Sequence, residues 1–134
     1  SLQKFEQVNF IQAVSKIAET ELTSSESIVK VAITKNNEIL YYSRLPIPYS
    51  REKNKIKEVH YKSLGLYLYS RDFLFKYSLM GSSKLENTEH IEQLRILENG
   101  ISIHAVEVND DGISVDTEED LVKIRNKYRD CFKD

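Results

Sequence analysis

The chain has 134 residues, of which 40% are hydrophobic and 30% charged, and its formal net charge is −2. This length allows one domain with a real hydrophobic core, and no run of about 18 apolar residues occurs, so we expect no membrane-spanning helix. Basic and acidic residues are mixed along the chain, so we expect no nucleic-acid partner, and the single Cys131 favours a reducing, cytoplasmic setting.

The first part of the chain predicts a helix followed by a hairpin. Apolar residues recur every three positions over residues 3–19, which predicts an amphipathic helix. The β-branched run at residues 28–34 and the run at residues 39–43 predict two paired strands. Asn36 and Asn37 lie between them, and asparagine tolerates the positive φ angles of a tight hairpin turn.

The middle of the chain leaves the sheet and then returns to it. Pro46 and Pro48 remove backbone donors, so the second hairpin strand must end before them. We expect a solvated loop over residues 50–58 and a strand over residues 61–69. Ser70 is placed to cap a short helix. The inner side of that helix carries Phe73, Leu74, Tyr77 and Met80.

The last part of the chain predicts two helices separated by strands. A helix over residues 85–98 should end at Gly100, with a half-buried strand over residues 101–108 after it. A second strand should end at Asp116, and the last helix should run over residues 117–132. The apolar stripes of the two helices are Ile91, Leu94 and Leu97 in the first, and Leu121, Ile124 and Tyr128 in the second. The alternation of elements predicts a mixed α/β fold.

Several polar residues are candidates for a site. Asp116 lies at a strand end, one residue before Thr117, a good helix N-cap. A carboxylate there suits Mg²⁺, and the alternative is an extra capping residue. Glu86, Glu89 and Glu92 have no basic partner at four-residue spacing, and a solvated surface explains most such runs. His60, His90 and His104 show no metal-ligand spacing, and the four glycines form no phosphate-binding loop.

A set of short segments, in a fixed order, resembles one enzyme family. The segments are Val29-Lys30-Val31, Leu40 to Arg44, Ile47-Pro48, Leu64 to Tyr67, Leu85-Glu86, Glu92 to Arg95 and Val115 to Leu121. From about Ile28 to Tyr128 the chain resembles the carboxyl-terminal half of the CMP-Kdo synthetases, the 3-deoxy-manno-octulosonate cytidylyltransferases. The resemblance implies one domain over residues 1–134, with a mixed sheet, flanking helices and a partial nucleotide-diphospho-sugar-transferase fold of Rossmann-like type.

The resemblance also implies a reaction and a set of site residues. Members of the family join an acidic sugar to CMP, with CTP as the donor, Mg²⁺ as the cofactor and pyrophosphate as the leaving group. By position, Asp116 corresponds to a Mg²⁺ ligand and Arg44 to an arginine that contacts the sugar. Tyr67, Glu92 and Gln93 correspond to residues that hydrogen-bond sugar hydroxyls. The alternatives are a surface role for Arg44 and core packing for Tyr67. We expect Asp116, Arg44 and Gln93 to face one cavity.

Two departures from the family pattern limit the expected activity. Ser63 stands where the family usually has a histidine that touches the sugar. The amino-terminal half, with its triphosphate-binding segment and second aspartate motif, has no counterpart in the chain, and nothing before Glu26 aligns. We therefore expect a homodimeric half of the enzyme that does not turn over CTP alone. The alternatives are a non-catalytic dimerisation or interaction module and a sister activity on another acidic sugar.

Overall fold

The computed structural model describes residues 9–17, 26–51, 59–109, 115 and 117–129. Within these ranges, five strands form one sheet in the order β3-β2-β4-β1-β5. The strands are β1 (Phe10–Lys16), β2 (Lys30–Ile33), β3 (Ile39–Ser43), β4 (Tyr61–Tyr69) and β5 (His104–Glu107). The helices are α1 (Arg71–Leu79), α2 (Lys84–Glu89), α3 (Gln93–Glu98) and α4 (Glu118–Lys127). Because β1 is antiparallel to β4 and parallel to β5, the sheet is mixed, as predicted.

The helix predicted over residues 3–19 is wrong where the structure describes the chain, because β1 is a strand. Since β1 lies between β4 and β5, it has no solvated edge. Gln12 and Ser15, which a helix would expose, are 0% and 2% exposed. The Gln12 amide Nε2 donates to the main-chain oxygens of Ala13 and Leu64. Spacing alone cannot distinguish a buried strand that carries polar residues from an amphipathic helix.

The hairpin of β2 and β3 is confirmed. The two strands are antiparallel, and Asn37 adopts the left-handed conformation with φ 62°. The turn also contacts β5, since the Ala105 N–H donates to the Asn37 oxygen at 2.7 Å. The chain leaves the sheet before the prolines, as predicted. Most of the loop predicted over residues 50–58 lies outside the described residues.

The strand predicted over residues 61–69 is confirmed in both bounds, and Ser70 caps α1 by accepting from the Phe73 N–H at 3.2 Å. Thr117 caps α4 in the same way, accepting from the Asp120 N–H at 3.2 Å. The helix α4 is shorter than predicted, and its apolar stripe is half-buried instead of buried. The strand predicted before Asp116 lies outside the described residues apart from Val115.

The helix predicted over residues 85–98 is wrong in its middle, because it is divided into α2 and α3. His90 interrupts it in the left-handed conformation, with φ 54°. Contacts from the end of β3 hold the chain at this point, and such contacts are invisible to helical periodicity. Ile91 follows in the link and is 2% exposed, so the break brings an apolar side chain into the core. The predicted stop at Gly100 is confirmed, with φ 71°.

One hydrophobic core joins the sheet to α1 and α3. Its buried members come from the strands, from the residue just before β5, from α1, from the α2–α3 link and from α3: Phe10, Val14, Val31, Ile39, Tyr42, Phe73, Ile91, Leu94, Ile96, Ile103 and Ala105. The helices therefore cover one part of the sheet, and the candidate site lies where they meet it. None of the helices in the described ranges has the length and apolar character needed to cross a bilayer.

Candidate functional site

A cavity of about 250 Å³ opens between β4, α1 and α3. Three residues that the sequence proposed as sugar ligands, Tyr67, Glu92 and Gln93, line it together. The other lining residues are aromatic or aliphatic: Phe10, Tyr69, Phe73, Leu74, Tyr77 and Ile96. Polar groups set against an apolar wall are typical of small-molecule sites.

Strand alternation places the aromatic wall. Side chains of successive strand residues point to opposite faces, so Tyr67 and Tyr69 share the face that meets α1, where Phe10 and Phe73 also lie. The Phe10 ring centroid is 5.8 Å from that of Tyr67, 5.9 Å from that of Tyr69 and 5.8 Å from that of Phe73. These spacings match favourable aromatic pairs. The wall is therefore fixed by packing before any ligand arrives.

Tyr67 keeps its proton at neutral pH. Burial raises the pKa of its hydroxyl, a hydrogen bond with Gln93 acts in the opposite direction, and the charge of Glu92 raises the pKa further. The Tyr67 hydroxyl can therefore both donate to and accept from a ligand.

Glu92 and Gln93 reach the cavity because of the break at His90. Glu92 occupies the N-cap position of α3, yet its side chain makes no capping hydrogen bond. Gln93 begins the helix and is half-buried. The Glu92 carboxylate, the Gln93 carboxamide and the Tyr67 phenol therefore line the cavity together with the aromatic wall. This set accepts and donates hydrogen bonds at several points, as a polyhydroxylated ligand requires.

Arg95 and Glu86 form an ion pair behind the cavity. The Arg95 Nε donates to Glu86 Oε2 at 2.8 Å, and a second guanidinium nitrogen donates to Glu86 Oε1. The Arg95 guanidinium also donates to the Met80 oxygen at 3.1 Å and lies 5.1 Å from the Tyr77 ring centroid. The pair therefore joins α2 and α3 to the end of α1. Sequence analysis missed it, although the capping box of Ser83 and Glu86 was a readable signal.

Arg44 does not line this cavity. Each of its guanidinium nitrogens donates to a main-chain oxygen: Nε to Glu89, one terminal nitrogen to His90 and the other to Glu26, all at 3.0 Å. Of the three residues expected to face one cavity, only Gln93 is found there. Asp116 lies outside the described residues.

The described residues contain no group of three His, Cys, Asp or Glu side chains that could hold a metal ion. Ser63, at the position of the family's histidine, lies on β4 opposite Val14, and its N–H donates to the Val29 oxygen at 2.9 Å. Because it is two strand positions from Gly65 and four from Tyr67, it shares their face of the sheet.

This sheet, with helices packed on it and a polar cavity at their junction, is a Rossmann-like α/β fold of the nucleotidyltransferase type. Comparison with known proteins gives the family. A cytidylyltransferase sequence profile matches residues 2–103, and the chain belongs to that family. The match starts well before Glu26, so the expectation that nothing there aligns is wrong.

The relatives carry one consistent description. A 3-deoxy-manno-octulosonate cytidylyltransferase of Pelobacter propionicus is 42% identical over 78% of this chain and 45% of its own length. Another, of Fusobacterium nucleatum, is 39% identical over 86% of this chain and 46% of its own. A solved structure of CMP:2-keto-3-deoxy-manno-octonic acid synthetase with CTP superposes with a TM-score of 0.84 at 34% identity. The superposition covers 98% of this chain and 54% of the chain in the solved structure. The chain thus spans about half the length of the relatives it matches, and the predicted resemblance is confirmed.

Proposed function

We propose that this chain is the acidic-sugar side of a cytidylyltransferase that converts CTP and a sugar of the 3-deoxy-manno-octulosonate type into a CMP-sugar and pyrophosphate. The observation that carries the proposal is the convergence of Tyr67, Glu92 and Gln93 on one cavity. These residues come from a strand and from a helix start more than 20 positions apart in the chain. The names of the relatives supply the sugar class.

In this reaction the anomeric hydroxyl of the sugar attacks the α-phosphorus of CTP. A new oxygen–phosphorus bond forms, the bond to the β-phosphate oxygen breaks, and the hydroxyl proton is lost. Placement of the two substrates supplies much of such a rate enhancement. The cavity residues serve placement, because Glu92 can accept from sugar hydroxyls while Gln93 and Tyr67 can donate and accept. The contact of Arg44 with the sugar carboxylate stays a prediction.

The isolated chain should not turn over CTP. Its relatives are about twice as long, and we expect the family's CTP-binding segments to lie in the part of the relatives that this chain does not cover. We expect the purified polypeptide to release no pyrophosphate from CTP and 3-deoxy-manno-octulosonate. Release above a heat-inactivated control would contradict this part of the proposal.

Mg²⁺ is the proposed cofactor, with Asp116 as its ligand in this chain. Asp116 would share the ion with nucleotide phosphates, as is usual for Mg²⁺. Bound Mg²⁺ would neutralise phosphate charge. We expect Mg²⁺ alone to bind the isolated chain weakly and the Asp116→Asn variant to lose that binding.

Calorimetric titration with 3-deoxy-manno-octulosonate tests the sugar site. We expect the wild-type chain to bind it and Gln93→Ala to weaken binding about tenfold, since one hydrogen-bonding group is lost from a partly buried site. Asn87→Ala is the matched control, because Asn87 is an exposed amide on α2. No uptake by the wild-type chain would overturn the proposal. Preferential uptake of a nine-carbon acidic sugar would favour the sister activity.

A second candidate is a non-catalytic dimerisation module, and the surface of β4 favours it. Leu66 and Leu68, on the face of β4 that points away from α1, are each 66% exposed. Neighbouring exposed apolar side chains are typical of interaction surfaces. Sedimentation equilibrium gives the mass. A stable dimer that takes up no sugar would support the module, whereas a dimer that binds sugar would support the half-enzyme.

A further inference from the structure

Glu89 ends α2 and holds the end of β3. Its Oε1 accepts from the Ser43 hydroxyl and its Oε2 from the Arg44 N–H, both at 2.9 Å. Burial raises the pKa of the nearby Tyr41 hydroxyl, and the charge of the Glu89 carboxylate raises it further. Two donors from consecutive residues at the end of β3, Ser43 and Arg44, therefore converge on one side chain.

Arg44 in turn contacts the end of α2. Its side chain donates to the main-chain oxygens of Glu89 and His90, the last two residues before the link to α3. The Arg44 main chain is itself held, because the buried Lys30 amine donates to the Arg44 oxygen at 2.7 Å. The side chain at each end therefore bonds to the main chain of the other: Glu89 to the Arg44 N–H, and Arg44 to the Glu89 oxygen. This double contact fixes the direction in which the chain leaves α2.

These contacts affect the position of Glu92, three residues after Glu89. After His90 the chain passes through buried Ile91 and immediately presents Glu92 and Gln93 to the cavity. The first turn of α3 depends on the same link, because the Leu94 N–H donates to the Ile91 oxygen at 3.2 Å. The direction set at Glu89 therefore determines where the two cavity side chains lie.

We infer that Glu89 is a positioning residue for the sugar cavity, acting through the α2–α3 link on Glu92 and Gln93 without touching the ligand. The inference rests on the proposed function for the identity of the ligand. It also gives Arg44 a role that needs no contact with sugar, since each of its guanidinium nitrogens already donates to the main chain. Charge-assisted hydrogen bonds of this kind are stronger than neutral ones, which suits a contact that must hold a left-handed turn.

Two readouts on the purified chain test the inference. Amide hydrogen exchange of Leu94 and Arg95 should become about tenfold faster in Glu89→Ala, because the two hydrogen bonds of the Glu89 carboxylate are removed. Amides in the centre of β1 should be unchanged, which shows that the fold is intact. Glu89→Gln keeps one acceptor oxygen and should give a smaller effect. Glu38→Gln, an exposed carboxylate near the other end of β3, is the matched control and should change nothing.

The second readout is affinity for 3-deoxy-manno-octulosonate, which should fall about tenfold in Glu89→Ala and stay unchanged in Glu38→Gln. Unaltered exchange at Leu94 and Arg95 in both Glu89 variants would overturn the inference, as would faster exchange with unchanged affinity. A wild-type chain that takes up no sugar would instead contradict the proposed function. The exchange measurement needs no ligand, so the two failures are distinguishable.

Discussion

Removing one partner of the ion pair of Arg95 and Glu86 should strongly lower the stability of the chain. Replacing Arg95 with methionine removes two charge-assisted hydrogen bonds to Glu86 and the bond to the Met80 oxygen. The two side chains are only 20% and 10% exposed, so Glu86 would keep a largely buried charge without its partner. Breaking a fully buried pair costs about 3–5 kcal/mol, and the partial exposure here places the expected loss near about 3 kcal/mol.

Urea unfolding followed by circular dichroism measures this loss, and a cycle of Arg95→Met, Glu86→Gln and the double variant isolates the pairwise part. The matched control is Lys123→Met, whose partner Asp120 lies at 3.1 Å in a pair with a 60% exposed lysine side chain. That exposed pair should contribute about 0.5 kcal/mol or less. Equal losses from Arg95→Met and Lys123→Met would refute the reasoning.

The same pair predicts an acid dependence. The hydrogen bond with Arg95 is the main cause that holds the pKa of Glu86 below its ordinary value. A carboxylate with a lowered folded-state pKa stabilises the fold fully above the ordinary value of about 4.3, and this contribution is lost as the pH falls below it. Wild-type stability should therefore decline more steeply below that pH than the stability of Arg95→Met. Parallel curves would contradict the assignment.

Other substitutions have outcomes set by single contacts. Ser70→Ala should lower the free energy of unfolding by about 1 kcal/mol through loss of the α1 cap, while Ser82→Ala, in the exposed stretch before α2, should leave it unchanged. Tyr42→Phe should be neutral or raise it by up to about 1 kcal/mol, because the buried Tyr42 hydroxyl has no hydrogen-bond partner among the described residues. Burial raises the Tyr42 pKa, so this variant should also lose less stability as the pH rises above about 10. Leu66→Thr and Leu68→Thr should each cost only a few tenths of a kcal/mol in denaturant titrations, since both leucines are 66% exposed.

Local signals in the sequence predicted the elements whose cause is local. The hairpin turn was readable because Asn37 tolerates a positive φ, and the start of α1 because Ser70 is a good N-cap followed by apolar helix-forming residues. The bounds of β4 could be predicted because the polar loop precedes the strand and the Ser70 cap follows it. In each case the residues that decide the conformation lie within a few positions of it.

The two wrong predictions concern segments whose conformation depends on residues far away in the chain. The sequence of β1 predicts a helix because Gln12 looks like a solvated position. Its burial depends in part on a hydrogen bond to the Leu64 oxygen, which lies on another strand. The helix over residues 85–98 reads as continuous because Ser43 and Arg44, which hold its break, lie more than 40 positions away in the chain. Conformations that depend on distant partners cannot be inferred from periodicity.

The acidic residues of this segment show how that limit bears on function. As a run they are typical of a solvated surface, and only the resemblance distinguishes Glu92, yet the three do different things. Glu86 is paired with Arg95, and Glu89 holds the end of β3. The Glu92 carboxylate caps no helix N–H and faces the cavity. A carboxylate that the fold does not use remains available to a ligand. Among similar residues, the functional candidate is therefore the one whose neighbours leave it unsatisfied, a property that only the assembled fold reveals.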